Sequence, residues 1–196
     1  MAGITETEGK ILLAIFKGID DYYNANSLSK IIGISRIGAM KILRKFDKMG
    51  LLERKRIGKS ITYKIRLNDD YARKLIAYLL ADEANMQKRW KEEFKGLFKG
   101  ERIVLLFGSI LGNYGAARDI DIMIVMGESE IKDVNNALAD RQTILSKKIH
   151  AIKLTSDDLH NSITKKDKAM IDIIKKSIVL YGQDKYVEVI KNVASA

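Results

Sequence analysis

Apolar positions in the first third of the chain recur at three- and four-residue steps, the spacing of one face of a helix. This spacing predicts a first helix over residues 5–18, with a threonine as its cap. A second, shorter helix is predicted at Leu28–Ile32, capped by Asn26 or Ser27 and ended by Gly33.

A third helix is predicted to begin at Ser35, run to Met49 and stop at Gly50. Two strand-like runs follow, at residues 51–56 and 60–67, on either side of a short turn that contains a glycine. The order helix, helix–turn–helix, β-hairpin is that of a winged helix-turn-helix domain, and this segment resembles one.

Residues 69–98 contain no strong helix breaker and predict one connecting helix of roughly 40 Å. We expect its apolar seam to be buried on the second domain, on a partner copy in a homodimer, or within the same chain. The seam comprises Tyr71, Leu75, Tyr78, Leu79, Met86, Trp90, Phe94 and Leu97.

The remaining chain is predicted to be an α/β domain. Apolar runs indicate strands at 103–107, 119–126 and 148–154, with a helix from Ser129 to about Lys147 between the last two. A helical segment then precedes a last short apolar run. The whole is predicted as a two-domain α/β (α+β) protein, with domains at 1–67 and 100–196 and the connecting helix at 68–99.

Net charge is distributed unevenly along the chain. Of the total of +10, residues 1–67 contribute +8, from 14 Lys and Arg against 6 Asp and Glu. A basic module next to a nearly neutral one indicates a polyanionic partner for the first.

Double-stranded DNA is the partner we expect, because the charge is concentrated on the third helix and the hairpin. In such domains the leading end of the third helix contacts bases, and basic groups contact phosphate oxygens. The alternative is a winged helix that contacts protein, with these residues as an ordinary solvated face. The candidate DNA-binding residues are Ser35, Arg36, Lys41, Arg44, Lys45, Arg54, Lys55, Arg56 and Lys59.

Two carboxylates, Asp119 and Asp121, lie two residues apart in an apolar run and so point to the same side of a strand. Such close carboxylates repel each other unless a cation lies between them, and Mg²⁺ takes Asp oxygens together with substrate phosphates. Upstream, Gly108 allows the backbone to approach a ligand, and Ser109 adds a hydroxyl and an N–H where a triphosphate would lie.

This arrangement resembles the nucleotidyltransferase superfamily related to DNA polymerase beta, in its minimal prokaryotic form. The shared features are a Gly-Ser pair, a loop of roughly ten residues, and Asp-x-Asp inside an apolar strand, at Gly108, Ser109, Asp119 and Asp121. The run Ile178–Gly182 resembles the closing Leu-Tyr-Gly element of that family. The resemblance implies a nucleoside triphosphate substrate and a Mg²⁺ or Mn²⁺ cofactor.

Active members of that family usually add a third carboxylate from the next strand, and His150 stands at that position here. An imidazole suits Mg²⁺ poorly, although it can accept a proton near neutral pH or ligate softer metals. His150 is therefore either a candidate catalytic base or a replacement for a lost ligand. Arg118, just before the first aspartate, could hold a phosphate or neutralise the two carboxylates of an inactive site.

Composition narrows the other possibilities. The chain has no cysteine and two histidines, which excludes disulfides and makes a structural zinc site improbable. No apolar run is long enough to cross a bilayer, and the N-terminus lacks the regions of a signal peptide, so we expect a cytoplasmic protein without a membrane partner.

The sequence thus predicts a DNA-binding protein with a role in transcriptional regulation, whose second domain binds a metal–nucleotide complex and transfers a nucleotide to an acceptor. One alternative is a catalytically degenerate nucleotidyltransferase-like sensor or docking module on a DNA-binding regulator. Another is an antitoxin-like nucleotidyltransferase that modifies a partner protein.

Overall fold

The structure is a computed structural model that describes residues 3–19, 21–112 and 114–194. The chain is a mixed α and β protein with two separate sheets, as predicted. It divides into two compact units, residues 1–79 and 80–196. No helix in the described part of the chain is long and apolar enough to cross a membrane.

The first unit begins with three helices followed by a hairpin: α1 (Glu6–Lys17), α2 (Ala25–Ile32), α3 (Arg36–Lys48), β1 (Leu52–Ile57) and β2 (Ser60–Ile65). The two strands are antiparallel. The order of elements is the one that the sequence predicts, and α3 begins directly after its predicted cap. The core is formed mainly by fully buried aliphatic and aromatic side chains of the three helices, of β1 and of the residue just before β1, among them Ile11, Leu12, Leu28, Leu43, Phe46, Leu51 and Leu52.

The predicted start of α2 was wrong by three residues. The side chain of Asn24 caps the helix, because its Oδ1 accepts hydrogen bonds from the backbone N–H groups of Asn26 and Ser27. The Ser27 hydroxyl completes a reciprocal cap by accepting from the N–H of Asn24. The residue before the cap, Tyr23, forms one antiparallel β-bridge with Tyr63 of the hairpin.

The single connecting helix predicted over residues 69–98 is two helices in the structure, α4 (Asp70–Asn85) and α5 (Lys88–Phe94). The N–H groups of Met86 and Gln87 bond to carbonyls three residues back, which tightens the last turn of α4 and ends it.

The predicted apolar seam is also only partly right. Trp90 and Phe94 are buried, but Tyr71, Tyr78 and Met86 are 51%, 65% and 77% exposed. Smaller side chains at four-residue steps form the buried stripe of α4: Ala72, Ile76, Leu80 and Ala84.

The second unit has a four-stranded sheet in the order β5–β4–β3–β6. Its strands are β3 (Ile103–Phe107), β4 (Asp119–Val125), β5 (Lys148–Leu154) and β6 (Ile178–Tyr181). β3 is antiparallel to β4 and β6, whereas β4 and β5 are parallel. The sequence-predicted bounds of β3 and β5 match the structure, and β4 ends one residue earlier than expected.

Helices cover this sheet because alternate side chains of the central strands point to its two faces. Ile120, Ile122 and Ile124 pack on one face in a cluster that includes Trp90 and Phe94. Helices α7 (Ser156–Thr164) and α9 (Gln183–Ala194) contact each other and, respectively, the strands β5 and β3. The remaining helices are α6 (Ile131–Gln142) and α8 (Lys168–Lys176).

Helix α6 ends at Gln142 and not at the predicted Lys147. The side chain of Gln142 donates to the carbonyls of Leu145 and Lys147 and accepts from the N–H of Ile149. These bonds pair backbone groups of the loop before β5 and of the start of that strand. The helix can therefore end early without leaving these groups unpaired.

Candidate functional site

The first feature of the site is the close approach of Gly108 to Asp121. Antiparallel pairing of β3 with β4 puts Phe107 opposite Asp121, so the next residue, Gly108, lies against the carboxylate. Gly108 has φ 80°, in the region that favours glycine, and a Cβ built on it would overlap Oδ2 of Asp121. Only glycine therefore fits between the end of β3 and this carboxylate.

Asp119, Asp121 and His150 lie together on the same face of the sheet. The parallel register of β4 and β5 puts His150 beside Asp121, and the Nδ1 atom of His150 is 3.7 Å from an oxygen of each aspartate. These distances are longer than hydrogen bonds. The three side chains are 37%, 29% and 47% exposed, so a ligand can reach them from solvent.

The donor atoms of this cluster decide whether it suits a divalent cation. No group of three or more His, Cys, Asp or Glu residues in the described ranges is arranged to hold a metal by itself. Two neighbouring carboxylates still fit Mg²⁺, because this ion commonly takes one or two protein carboxylates and completes its shell with waters and substrate phosphates. The donor set at Asp119 and Asp121 therefore fits a cation that arrives with a nucleotide.

Arg118 and Ser109 flank the two carboxylates. Arg118 is exposed, and within the part of the chain that the structure describes it forms no ion pair with Asp119 or Asp121. The sequence gives Arg118 two candidate roles, holding a phosphate or neutralising the two carboxylates. The contacts needed for the second role are not seen among the described residues. Ser109 is exposed and begins a short 3-10 turn, Ser109–Leu111.

The loop between Gly108 and β4 is anchored by an aromatic residue that the sequence did not indicate. The ring of Tyr114 lies 4.0 Å from the Arg89 guanidinium and 4.8 Å from the Lys147 ammonium, measured to the ring centroid. Hydrogen bonds from Ser146 and Arg89 lower the pKa of Tyr114. The Lys147 ammonium also donates to the carbonyl of Ala117, next to the start of β4.

The closing segment resembling Leu-Tyr-Gly forms β6, which pairs with β3. Gly182, just after the strand, has φ 79°, and a Cβ on it would overlap the carbonyl oxygen of Arg102. The backbone conformation and the close approach of Arg102 therefore require glycine at position 182. No described contact joins Gly182 to the two aspartates.

The basic residues of α3 differ in whether a carboxylate already pairs with them. Ser35, Arg36, Lys41 and Arg44 are exposed, and the Ser35 hydroxyl accepts a hydrogen bond from the N–H of Gly38 as a helix cap. Arg36, Lys41 and Arg44 have no carboxylate partner within the described ranges, so their charges are available to a polyanion.

Lys45 has a different environment. Its ammonium is 2.6 Å from the carboxylate of Glu8 on α1. Burial works to raise the pKa of Glu8, but the Lys45 ammonium and the hydrogen bonds to Thr5 outweigh it and hold this pKa below its usual value. Lys45 therefore joins α3 to α1, and its charge is already paired.

The hairpin presents four exposed cations, Arg54, Lys55, Arg56 and Lys59. Arg54 is 66% exposed and 3.5 Å from Asp47, which is a weak surface pair. The Lys55 ammonium lies 5.6 Å from the ring centroid of Tyr22. The hairpin thus combines cations from β1 and from its turn.

No protein-family model matches this chain, and no curated protein matches it at a significant level. Its function is therefore inferred from its residues and their geometry.

Proposed function

We propose that the first unit is a winged helix-turn-helix domain that binds double-stranded DNA and gives the protein a role in regulation. The observation that carries this proposal is the group of exposed cations on α3 and the hairpin that lack carboxylate partners or hold only weak ones. Such cations attract DNA because each phosphate they neutralise releases condensed counterions.

The order of elements supports the same proposal. A short helix, α2, precedes α3, and a two-stranded hairpin follows it, with Tyr23 extending the sheet by one bridge. In a domain of this type α3 enters the major groove and the hairpin lies along the DNA backbone. The residues that would contact phosphates are Arg36, Lys41, Arg44, Arg54, Lys55, Arg56 and Lys59.

We also propose that the second unit binds a metal–nucleoside triphosphate complex and transfers a nucleotide. The observation that carries this proposal is the packing of Gly108 against Asp121, which brings the start of the loop after β3 next to two carboxylates. The N–H and hydroxyl of Ser109 would orient phosphate oxygens.

A bound Mg²⁺ or Mn²⁺ would supply electrostatic stabilisation of the charge that develops on the transferred phosphoryl group. Asp119 and Asp121 would hold it. His150 would accept the proton of the attacking hydroxyl, because its Nδ1 is beside both carboxylates and half of its side chain is open to solvent.

The second candidate function is a nucleotide sensor or docking module without chemistry. His150 is the observation that favours it, because an imidazole adds no negative charge to the cation site. In this case the carboxylate pair still binds the metal–nucleotide complex, and no product forms.

Binding and transfer assays separate these functions. Labelled ATP, GTP, CTP and UTP would be incubated with the protein and Mg²⁺ or Mn²⁺, first to measure binding and then to detect a labelled product. Asp119→Asn with Asp121→Asn should abolish binding of Mn²⁺ with a non-hydrolysable nucleotide. The matched control, Asp140→Asn with Asp157→Asn, changes two exposed carboxylates outside the site and should bind like the original protein.

Equal nucleotide binding by the site variant and the control would contradict both candidate functions of the second unit. Binding without any labelled product would favour the sensor. For the first unit, the test is a gel-shift assay with random-sequence duplex DNA at low salt. If the protein does not retard the DNA, the DNA-binding proposal is contradicted.

A further inference from the structure

Ile37 is a large apolar side chain at the leading end of the cationic surface of α3. It is 63% exposed, whereas Ala39, Leu43 and Phe46 on the opposite side of the helix are fully buried. Since successive residues of a helix turn by about 100°, Ile37 lies within about 60° of arc of Lys41, Arg44 and Lys48. These four residues form one exposed stripe, which we call the α3 stripe.

The composition of the α3 stripe restricts what can cover it. Its three cations have no carboxylate partner in the ranges that the structure describes, so a complementary partner must be polyanionic. Ile37 is a poor choice for a purely solvated position, because a β-branched residue lowers helix propensity and its exposed surface is apolar. A partner that fits must therefore present an apolar group among its negative charges.

Duplex DNA has such a group in its major groove, where the C5 methyl of thymine lies between the acceptor and donor edges of the bases. RNA does not fit, because uracil lacks this methyl and the major groove of A-form RNA is too narrow for side chains to read. Within α3, Ile37 is near the leading end, which is the part of a recognition helix that reaches base edges.

We propose that Ile37 reads the C5 methyl group of a thymine, while the cations of the α3 stripe hold the flanking phosphates. The inference rests on the proposed binding of DNA by the first unit and adds the base chemistry that gives it sequence preference. Ile37 is thus a specificity-determining residue, and its side chain is not needed for the fold.

The experiment replaces thymine by deoxyuridine, which removes only the methyl group. A preferred duplex would be selected from a random library with the full-length protein, and each thymine would then be replaced in turn. We expect one replacement to weaken binding by the original protein roughly fourfold, the value for one buried methyl group. Ile37→Ala should bind the thymine duplex at least that much more weakly and should not distinguish the two bases at that position.

Ile144→Ala is the matched control, because Ile144 is also an isoleucine and is 67% exposed in the second unit. It should distinguish thymine from deoxyuridine as the original protein does. If Ile37→Ala keeps the original discrimination, or if no replacement weakens binding, the role of Ile37 is refuted while DNA binding stands. If no duplex binds at all, both the DNA-binding proposal and this inference fall.

Discussion

Gly108 and Asp121 are in such close contact that a methyl group on the glycine would overlap a carboxylate oxygen of the aspartate. Two features of the backbone produce this contact: the antiparallel register of β3 and β4, and the φ of 80° at Gly108. The contact lies at the end of β3, where the chain turns into the loop. The glycine therefore has a structural role and a role in shaping the site.

Gly108→Ala should destabilise the protein and weaken nucleotide binding. We expect a loss of about 1–3 kcal/mol in the free energy of unfolding, because alanine is strained at this φ and its methyl must displace the Asp121 carboxylate. Denaturant unfolding and titration with a non-hydrolysable nucleotide plus Mn²⁺ would measure the two effects.

Gly112→Ala is the control for this change. Gly112 is in the same loop, has φ −91°, and its nearest neighbour to an added Cβ is the carbonyl oxygen of Ser109 at 3.7 Å. It should retain stability and nucleotide binding. Equal behaviour of the two variants would mean that the contact between Gly108 and Asp121 does not shape the site.

His150→Asp should strengthen the binding of a divalent cation, because a third carboxylate would then lie beside Asp119 and Asp121. If nucleotide transfer is detected, His150→Ala should lower its rate by roughly 10²–10⁴-fold, the usual contribution of a general base. Calorimetric titration with Mn²⁺ and single-turnover kinetics are the measurements.

His160→Ala is the control, since His160 is the other histidine of the chain and lies on α7. It should leave metal binding and transfer unchanged. An active protein that is indifferent to both substitutions at His150 would show that the proton acceptor is another group.

The strands that carry the candidate site could be predicted closely, because each is specified by the pattern of its own residues. Runs of buried β-branched and aliphatic residues define β3 and β4, half-buried apolar residues define β5, and two-residue periodicity alone puts Asp119 and Asp121 on one face. The position of His150 beside them depends on the parallel register of β4 and β5, which no local pattern specifies, and in the sequence only the resemblance to a family indicates it.

Features that depend on contacts between residues far apart in the sequence could not be predicted. Apolar spacing along residues 69–98 does not distinguish the buried Trp90 from the exposed Tyr78, because tryptophan and tyrosine both occur in buried and in partly exposed positions. Likewise, the stacking of Arg89 on Tyr114 joins residues whose proximity is set only by the fold. Nothing in the local sequence of either residue indicates the other.

Lys45 is another residue whose role depends on a contact far away in the sequence. Because Lys45 pairs with Glu8, its substitution should affect stability more than DNA binding. Lys45→Met should lower the free energy of unfolding by about 1–2 kcal/mol, since the carboxylate it leaves is largely buried. Its effect on DNA affinity should be smaller than that of Lys41→Met, whose ammonium is exposed and has no carboxylate partner in the described ranges.

The ion pair between Lys45 and Glu8 should also be visible in acid. Because the pKa of Glu8 is lowered in the folded protein, its contribution to stability is complete above the ordinary value of 4.5 and is lost as the pH falls through the lower, folded value. Lys45→Met should flatten this acidic part of the stability curve. Unchanged acid sensitivity in chemical denaturation would contradict the assigned role of the pair.

The salt dependence of DNA binding tests the hairpin cations directly. Arg54→Ala with Arg56→Ala should weaken binding to all duplexes and flatten the log–log salt slope by about 0.9 for each phosphate that the variant no longer neutralises. Arg36→Ala, near the leading end of α3, should weaken preferred sites more than random ones. Fluorescence anisotropy over a series of salt concentrations would measure both effects.

The control for the hairpin variant removes the same amount of charge elsewhere. Lys95 and Lys176 are exposed lysines of the second unit, and each pairs with a carboxylate on its own surface. Lys95→Ala with Lys176→Ala lowers the net charge equally, so a general effect of protein charge would appear in both double variants. A slope that falls only in the hairpin variant means that Arg54 and Arg56 contact phosphates, and equal slopes in the two would mean that the hairpin does not lie on the DNA.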